Sequence, residues 1–336
     1  MNKPLFDITF VEKPQTTKLS QLFPDARLVK LETNDSSLVG TRNMKVIFRD
    51  GVFYIRSLNE IIMFDADGNY TGKLSHQGGG PGEYDYISDF DVVDYKGHKE
   101  IWIPDFNEIL RYDTDSKKHL GTIKLQDGNT KFGINDIFFV NDSSILVTTN
   151  DSLYFKAIDD KGNIRREFLE LDFANSAHSS IAFHRLGNLV FNPISGTNEA
   201  AVYYIDADTF GLRPIINPND RFVTMKANTD AYESQGMSGQ YKYIKENYIE
   251  IMCVAAHGND ALINFSTPEG KRYLGVSRDG KTQFYTVGDG TTIENDLVSE
   301  PDSYYPITII ACHNDNGFLM ELDTESEENP YLLVIE

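Results

Sequence analysis

Short apolar segments rich in β-branched and aromatic residues alternate along this chain with turns of Asp, Asn and Gly. Segments of this composition, bounded by such turns, are typical of β-strands. Near the start of the chain they predict four successive strands, Met44–Arg49, Val52–Arg56, Glu60–Asp65 and Tyr70–Ser75. Helical periodicity is confined to a stretch near Gln240–Ile251. The pattern therefore predicts an all-β protein.

An apolar pair followed by an acidic turn recurs at a regular interval. Asp65 has equivalents at 113, 159 and 206, so the steps are 48, 46 and 47 residues. The next copy, at Ser277, lies 71 residues further on, and the excess coincides with a polar, Tyr-rich stretch at 217–248. A period in the forties is the length of a four-stranded propeller blade. We therefore interpret 217–248 as an insertion in a repeated blade architecture.

Six such units fit into one domain over residues 26–336, preceded by an N-terminal segment, 1–25. Their approximate limits are 44–75, 88–125, 135–171, 180–216, 249–287 and 305–336. The last unit holds three predicted strands, and a strand from the N-terminus at 26–32 would complete it and remove two exposed sheet edges. We expect a six-bladed β-propeller with four-stranded blades, its ring closed by this N-terminal strand.

The predicted connections differ in length between the two ends of the blades. Turns from the first strand to the second and from the third to the fourth are tight, as at Asp50–Gly51. Connections at the other end include long ones, at 76–87, 126–134, 193–199, 217–248, 288–304 and 324–329. Loops longer than a connection requires often carry function. We therefore expect the binding face at this end.

A glycine-rich stretch, Gly78–Gly82, lies in the first long connection. Its spacing matches neither a dinucleotide-binding fingerprint nor a P-loop, and no helical pattern follows it. Pro81 also removes one backbone N–H that a phosphate cradle would use. We interpret the stretch as a shaped turn between two blades, with Glu83 and Tyr84 at the rim of the predicted channel.

Polar residues in equivalent turns are candidate ligand-binding residues. Asn59 and Asn107 stand 48 residues apart, preceded by Arg56 and Asp105, and we expect all four at the mouth of the channel. Purely structural turn residues are the alternative, because Asn tolerates left-handed φ.

Two further groups complete the candidate binding residues. Among the dispersed histidines, His184 with Arg185 beside it is the arrangement most like a site. In the insertion, Tyr241 and Tyr243 offer aromatic contact area to a peptide or glycan. A small satellite core under a long loop is the alternative for the tyrosines.

Three carboxylates near the predicted starts of first strands are candidate metal ligands, Asp89, Asp136 and Glu250. A hard cation such as calcium binds oxygen ligands of this kind, and solvated channel lining is the alternative. The chain shows no zinc-ligand spacing, no nucleophile elbow and no Cys/His nucleophile arrangement. We therefore expect no catalytic residues and no cofactor, with calcium as the one candidate ion.

Charge and composition narrow the classes of partner. The chain has 31 Lys and Arg against 51 Asp and Glu, a net charge of −20, which argues against nucleic acid and against an anionic membrane surface. Cys253 and Cys312 lie in apolar runs and are expected to be buried free thiols. No apolar run is long enough to span a bilayer. We expect a monomer.

Three stretches, Phe64–Tyr70, Gly78–Tyr84 and Trp102–Asp113, resemble six-bladed propellers of the NHL-like and TolB-like type common in Bacteroidetes. The resemblance implies the same fold over most of the chain. Members commonly carry a lipoprotein leader, which the given chain does not show. The resemblance therefore implies a cell-envelope location, periplasmic or surface, with a cytoplasmic location as the alternative.

The one-sided long loops and the lack of a catalytic constellation favour a non-catalytic binding propeller. The expected ligand is a peptide, a protein or a glycan, engaged by the loop-rich face and the channel mouth. Related six-bladed propellers hold calcium in the axial channel, so a metal-dependent hydrolase or lactonase is the alternative. Fold alone does not decide between them, because function depends on the site.

Overall fold

A computed structural model describes residues 10, 13–40, 45–126, 133–149, 153–170, 184–186, 189–192, 203–206, 212–214, 225–288, 290–297, 307–308, 317–322 and 327–335. The architecture is an all-β propeller with four-stranded antiparallel blades. The chain divides into two compact units, one formed by Asn34–Ser176 and the other by Met1–Thr33 with Ala177–Glu336.

The first elements belong to the N-terminal part of the chain and are β1 (Thr17–Lys18), α1 (Leu19–Leu22) and β2 (Arg27–Lys30). The unit Asn34–Ser176 then contains three blades of four strands that are consecutive in the chain. Blade 1 consists of β3 (Lys45–Arg49), β4 (Val52–Ser57), β5 (Glu60–Asp65) and β6 (Tyr70–Leu74). Blade 2 consists of β7 (Asp91–Tyr95), β8 (His98–Asp105), β9 (Glu108–Asp113) and β10 (His119–Lys124). Blade 3 consists of β11 (Ile134–Asn141), β12 (Ser144–Thr149), β13 (Leu153–Ile158) and β14 (Ile164–Glu170).

The second unit contains two more blades of consecutive strands and one sheet of mixed origin. Blade 4 consists of β15 (His184–Leu186), β16 (Leu189–Asn192), β17 (Tyr203–Asp206) and β18 (Leu212–Pro214). The helix α2 (Met225–Asn247) precedes blade 5, which consists of β19 (Glu250–His257), β20 (Asp260–Ser266), β21 (Arg272–Arg278) and β22 (Lys281–Val287). The remaining strands are β23 (Ile293–Glu294), β24 (Ile307–Thr308), β25 (Phe318–Leu322) and β26 (Tyr331–Ile335). The mixed sheet has the order β2-β26-β25-β24.

Alternating side chains of blade 2 pack against the blades on either side of it. Ile101 and Ile103 in β8 are buried in a cluster that includes Ile61 of blade 1. Trp102, between them in the chain, is fully buried in a second cluster with Val147 of blade 3. The two-residue period of a strand thus supplies both interfaces. Each fully buried side chain of this size stabilises the fold by about 1.5–3 kcal/mol, which explains why these strands are apolar throughout.

The N-terminal segment packs against the blades of its own unit. β1 pairs in parallel with β23, and Leu19, Leu22 and Phe23 are buried in a cluster with side chains of blade 5 and of the mixed sheet. Phe10 makes edge-to-face contacts with Phe265, Tyr273 and Phe284 at centroid distances of 4.9, 5.1 and 5.2 Å. The N-terminal segment is therefore part of the core of this unit.

The predicted propeller of four-stranded blades is confirmed. In the mixed sheet, β2 pairs antiparallel with β26, so Arg27 lies opposite Val334 and Lys30 opposite Tyr331. The predicted number of six blades and the closure of a ring by this strand stay predictions. The predicted single domain over 26–336 also stays a prediction.

Two elements illustrate where the structure differs from the prediction. Blade 2 was expected to begin at 88, but its first strand, β7, begins at Asp91, because the carbonyls of Ser88 and Phe90 accept hydrogen bonds from side chains of blade 1 rather than from a strand. The insertion 217–248 contains a helix longer than the periodicity near Gln240–Ile251 indicated. Its backbone departs from helical geometry at Gly236, which has φ +68°. Residues 217–224 lie outside the described part.

Candidate functional site

The glycine-rich connection between blades 1 and 2 folds back on itself. The N–H of Gly78 donates to the carbonyl of Tyr84 at 3.0 Å, and the N–H of Tyr84 donates to the carbonyl of His76 at 3.1 Å. Gly82 has φ +76°, and a Cβ at this position would lie 2.6 Å from Cγ of His119. Both features require glycine. The stretch is thus a closely fitted turn between two blades.

Tyr84 fastens this turn to blade 1. Its ring is fully buried, and its hydroxyl accepts a hydrogen bond from the N–H of His76 at 3.0 Å and donates one to the carbonyl of Asn59 at 2.8 Å. Burial raises the pKa of the Tyr84 hydroxyl. Tyr84 was expected at the rim of a channel, and the structure places it in the core instead.

Glu83 and Tyr112 complete the fastening. The Glu83 side chain is exposed, and its carboxylate accepts the N–H of Gly80 at 2.8 Å. On the blade 2 side, the hydroxyl of Tyr112 donates to the carbonyl of Gly82 at 3.0 Å. The connection is therefore held by both blades, and its shape does not depend on a ligand.

The equivalent turns that carry Asn59 and Asn107 lie beside blade-to-blade connections. The amide oxygen of Asn59 accepts the N–H of Ile87 at 3.4 Å, and the carbonyl of Asn107 accepts the N–H of Leu125 at 2.9 Å. The carboxylate of Asp105 accepts the backbone N–H of Asp85, and burial, with smaller contributions from nearby Glu108 and Asp85, raises the pKa of Asp105. The segment at 84–87 thus contacts the blade 1 turn through Asn59 and the blade 2 turn through Asp105.

A buried charge cluster links the first strands of the three blades in this unit. The Lys45 ammonium lies 2.7 Å from Oδ1 of Asp89 and donates to the carbonyl of Phe90 at 2.6 Å. The other carboxylate oxygen of Asp89 accepts the N–H of Ile137 in blade 3 at 3.0 Å. Arg56, nearly buried, donates through its guanidinium to the carbonyl of Ser88. These groups tie one blade to the next.

The neighbouring carboxylates Asp91 and Asp136 are held in an environment that disfavours their charge. Asp91 accepts the N–H of Phe139 at 2.8 Å, and burial raises its pKa to about 6. Asp136 accepts the hydroxyl of Thr148 at 2.5 Å. Burial and repulsion from Asp89 raise the pKa of Asp136 to about 7.

Of the three candidate metal ligands, Asp89 and Asp136 therefore lie close to each other in the first unit. Glu250 begins β19 in the second unit, and its side chain is outside the described part. No cluster of three or more His, Cys, Asp and Glu side chains suited to a metal ion occurs among the described residues. The calcium hypothesis stays a prediction.

The other candidate residues are also in the second unit. His184 and Arg185 lie in β15, opposite Phe191 and Val190 of β16, and their side chains are outside the described part. Tyr241 and Tyr243 lie on α2, with 65% and 37% of their surface exposed. Six of the predicted binding residues thus lie in the unit Asn34–Ser176, namely Arg56, Asn59, Glu83, Tyr84, Asp105 and Asn107. The other four, His184, Arg185, Tyr241 and Tyr243, belong to the second unit.

Large apolar side chains are exposed next to the turns just described. The exposed fraction is 76% for Leu58, 63% for Phe106, 55% for Tyr86 and 55% for Leu38. Leu58 precedes Asn59, Phe106 precedes Asn107, and Tyr86 lies in the segment between the two turns. These four residues are not among the candidates predicted from the sequence. One signal in the sequence could have indicated two of them. Leu58 and Phe106 occupy the same place in two turns 48 residues apart, where a polar residue or glycine is usual.

A family model described as "Domain of unknown function (DUF4934)" matches residues 5–329. The chain belongs to the DUF4934 family. Comparison of the DUF4934 chain with curated proteins gave no match. Among its described residues, no helix is both long enough and apolar enough to cross a membrane.

Two solved Bacteroides structures are similar to the DUF4934 chain. A protein of Bacteroides fragilis NCTC 9343, provisionally named as exported, is 18% identical with a TM-score of 0.67, over 96% of this chain and 99% of that one. A member of the DUF4221 family from Bacteroides vulgatus ATCC 8482 is 10% identical with a TM-score of 0.56, over 92% of this chain and 96% of that one. At these identities the similarity shows the fold alone.

Proposed function

We propose that this DUF4934 chain is a non-catalytic binding propeller that engages a peptide, protein or glycan through its loop-rich face. The observation that carries the proposal is the exposure of Leu58, Tyr86 and Phe106 in or beside turns that are held by internal hydrogen bonds. Clustered exposed apolar side chains are a feature of interaction sites. A surface whose backbone is already ordered also loses little entropy when a ligand binds.

In this proposal the polar candidate residues support the surface. Asn59, Asp105 and Asn107 hold the two turns in position, while Arg56 and Tyr84 fasten the connection between the blades. Glu83 contributes negative charge at the edge. The candidates in the other unit, His184, Arg185, Tyr241 and Tyr243, are proposed as a separate contact region for the same partner or for a second one.

We also propose that the mixed sheet is the sixth blade of a closed ring of the NHL-like type. The pairing of β2 with β26 supports this, because a strand from the N-terminus completes a sheet whose other three strands come from the C-terminus. Completion of this kind pairs the edge of β26 that would otherwise be exposed. For the location we propose the cell envelope, supported by the provisional naming of the similar B. fragilis protein as exported.

A calcium-dependent hydrolase or lactonase is the second candidate. The observation that favours it is the position of Asp89 near both Asp91 and Asp136, since burial and then repulsion from Asp89 raise the pKa of each of these two carboxyls. Against it, both carboxylate oxygens of Asp89 already bind Lys45 and Ile137. Metal analysis of the purified protein separates the two functions: stoichiometric calcium, with a lower melting temperature after chelation, would favour the enzyme.

The experiment for the binding function uses a glycan array and a peptide array probed with the labelled full-length protein. We expect signals that are lost in Tyr86→Ser and kept in Leu120→Ser, because Leu120 is also exposed, at 48%, but lies in the outer strand β10. Equal loss or equal retention in both variants would place the binding surface elsewhere. No signal on either array would contradict the binding function itself.

A further inference from the structure

The turns that carry Leu58 and Phe106 have the same unusual backbone. Each joins two strands through two residues, Leu58-Asn59 between Ser57 and Glu60 and Phe106-Asn107 between Asp105 and Glu108. The first central residue has a positive φ, +54° for Leu58 and +51° for Phe106, whereas neither Asn does. A positive φ at the first central residue alone is the pattern of a type II′ turn, which normally has glycine there.

The same chain contains such a turn with the expected glycine. Gly258-Asn259 joins β19 to β20 between His257 and Asp260, and Gly258 has φ +56°. Three turns among the described residues therefore share the form X-Asn with a similar positive φ at the first residue, which is a large apolar residue in two of them and glycine in the third. Both apolar residues strain the backbone, because a side chain disfavours positive φ.

The strain at Leu58 and Phe106 is not offset by burial. Leu58, at 76%, is the most exposed large apolar side chain of the described residues, and Phe106, at 63%, is third after Tyr241 at 65%. Neither residue belongs to a buried cluster of its unit. Backbone strain that folding does not require is a feature of functional sites.

Tyr86 connects the two turns into one surface. Its neighbour Ile87 contacts Asn59 of the blade 1 turn, and its other neighbour, Asp85, contacts Asp105 of the blade 2 turn. Tyr86, 55% exposed, thus stands in the segment that contacts both the turn of Leu58 and the turn of Phe106. Leu58, Tyr86 and Phe106 are called the apolar row below.

The charge beside the apolar row is negative. Asp85 and Glu83 are exposed on the same connection, and Asp105 precedes Phe106. Two lysines near the turns are paired with carboxylates: Lys73 lies 2.9 Å from Glu60, and Lys124 lies 3.3 Å from Glu108. Arg56 is nearly buried and donates to the carbonyl of Ser88. Asp85 and Asp105 thus present negative charge at the edge of the row.

We propose that the apolar row binds a polypeptide segment that places apolar side chains against Leu58, Tyr86 and Phe106 and a Lys or Arg beside Asp85 and Asp105. Charge complementarity selects a basic segment. Leu58 offers neither a flat ring nor a hydrogen-bonding group to a sugar, so a polypeptide fits the row better than a glycan. This inference rests on the proposed binding function and names its partner class.

The test measures fluorescence anisotropy of two labelled synthetic peptides with the full-length protein. One peptide alternates Phe and Lys in a Ser background, and its twin has Glu in place of Lys. The first variant is the double substitution Leu58→Gly with Phe106→Gly, because glycine suits the backbone of both turns. The second is Asp85→Asn. Leu120→Ser is the control, since it removes an exposed apolar side chain outside the row. The wild type should bind the Lys peptide and not the Glu twin.

We expect the double glycine variant to bind the Lys peptide at least about tenfold more weakly, without a lower melting temperature, and Asp85→Asn to bind it more weakly too. Leu120→Ser should bind as the wild type does. Equal binding by the wild type and the double glycine variant would overturn the row as the site while leaving the binding function standing. Binding of glycans alone, lost in the double variant, would overturn the polypeptide partner. Absence of any ligand on the arrays would count against the binding function and this inference together.

Discussion

The hydroxyl of Tyr84 donates a 2.8 Å hydrogen bond to the backbone carbonyl of Asn59, and so joins the blade 1–blade 2 connection to the turn that presents Leu58. The same hydroxyl accepts the N–H of His76 at 3.0 Å. One buried phenol thus sets the position of two parts of the proposed binding surface.

Removal of this hydroxyl should cost stability. Tyr84→Phe leaves the N–H of His76 and the carbonyl of Asn59 without their partner, and we expect the free energy of unfolding to fall by about 1–3 kcal/mol. Urea denaturation measures it. Tyr86→Phe is the matched control, because its ring is half exposed, and it should change the free energy by less than about 0.5 kcal/mol. Equal effects of the two substitutions would argue against the described role of Tyr84.

Exchange of side chains between the X-Asn turns should have opposite consequences. Gly258→Leu introduces a side chain at φ +56° and should lower the free energy of unfolding by about 1–3 kcal/mol. Leu58→Gly relieves the equivalent strain, which offsets the entropy that glycine adds to the unfolded chain, about 0.4–1 kcal/mol. Its free energy of unfolding should therefore be no lower than that of the wild type. A clear loss of stability in Leu58→Gly would show that Leu58 serves folding.

The buried ion pair between Lys45 and Asp89 should be essential to the unit Asn34–Ser176. Lys45→Met leaves the Asp89 carboxylate buried without its counter-ion, which costs about 3–5 kcal/mol of stability. Lys73→Met removes a more exposed pair with Glu60 and should cost about 0–1 kcal/mol. In Lys45→Met with Asp89→Asn, part of the lost stability should return. If both single variants unfold at the same denaturant concentration, the pair is not a structural link.

Much of the fold could be predicted from the sequence because each blade repeats the same local chemistry. The acidic turn at Asp65 recurs as a hydrogen-bonded loop at Asp159, where Asn163 donates to the carboxylate just as Asn69 does to Asp65. Such turns depend only on neighbouring residues. The start of β7 could not be predicted, because the hydrogen bonds that occupy Ser88 and Phe90 come from side chains far away in the chain.

The candidate site was predicted less well, for a physical reason. Polar residues in turns were selected as contacts, yet Asn59 and Asp105 bind the neighbouring connection, and Tyr84 lies in the core. Whether a turn residue faces solvent or a neighbouring blade depends on tertiary packing, which composition does not reveal. Leu58 and Phe106 could have been selected from their equivalence 48 residues apart, but only the positive φ values distinguish them from ordinary turn residues.

Stability should depend on pH through Asp136. Its pKa is 3.8 without perturbation and about 7 in the folded protein, so the folded state binds the proton more tightly than the unfolded state. The resulting stabilisation is present at low pH and is lost as pH rises from 3.8 to about 7, with a slope of up to about 1.4 kcal/mol per pH unit. Asp136→Asn removes this group, so the unfolding free energy of the variant should fall less steeply over that window. Parallel profiles would contradict the raised pKa.

Hydrogen–deuterium exchange with a bound ligand tests the central claim most directly. The wild type is compared with and without a saturating peptide chosen from the array or the Phe/Lys peptide itself. The account predicts slower exchange in the segments that contain Leu58, Tyr86 and Phe106, with little change around Leu120. Protection confined to α2 or to the strands of blade 5, with none at these three segments, would contradict it.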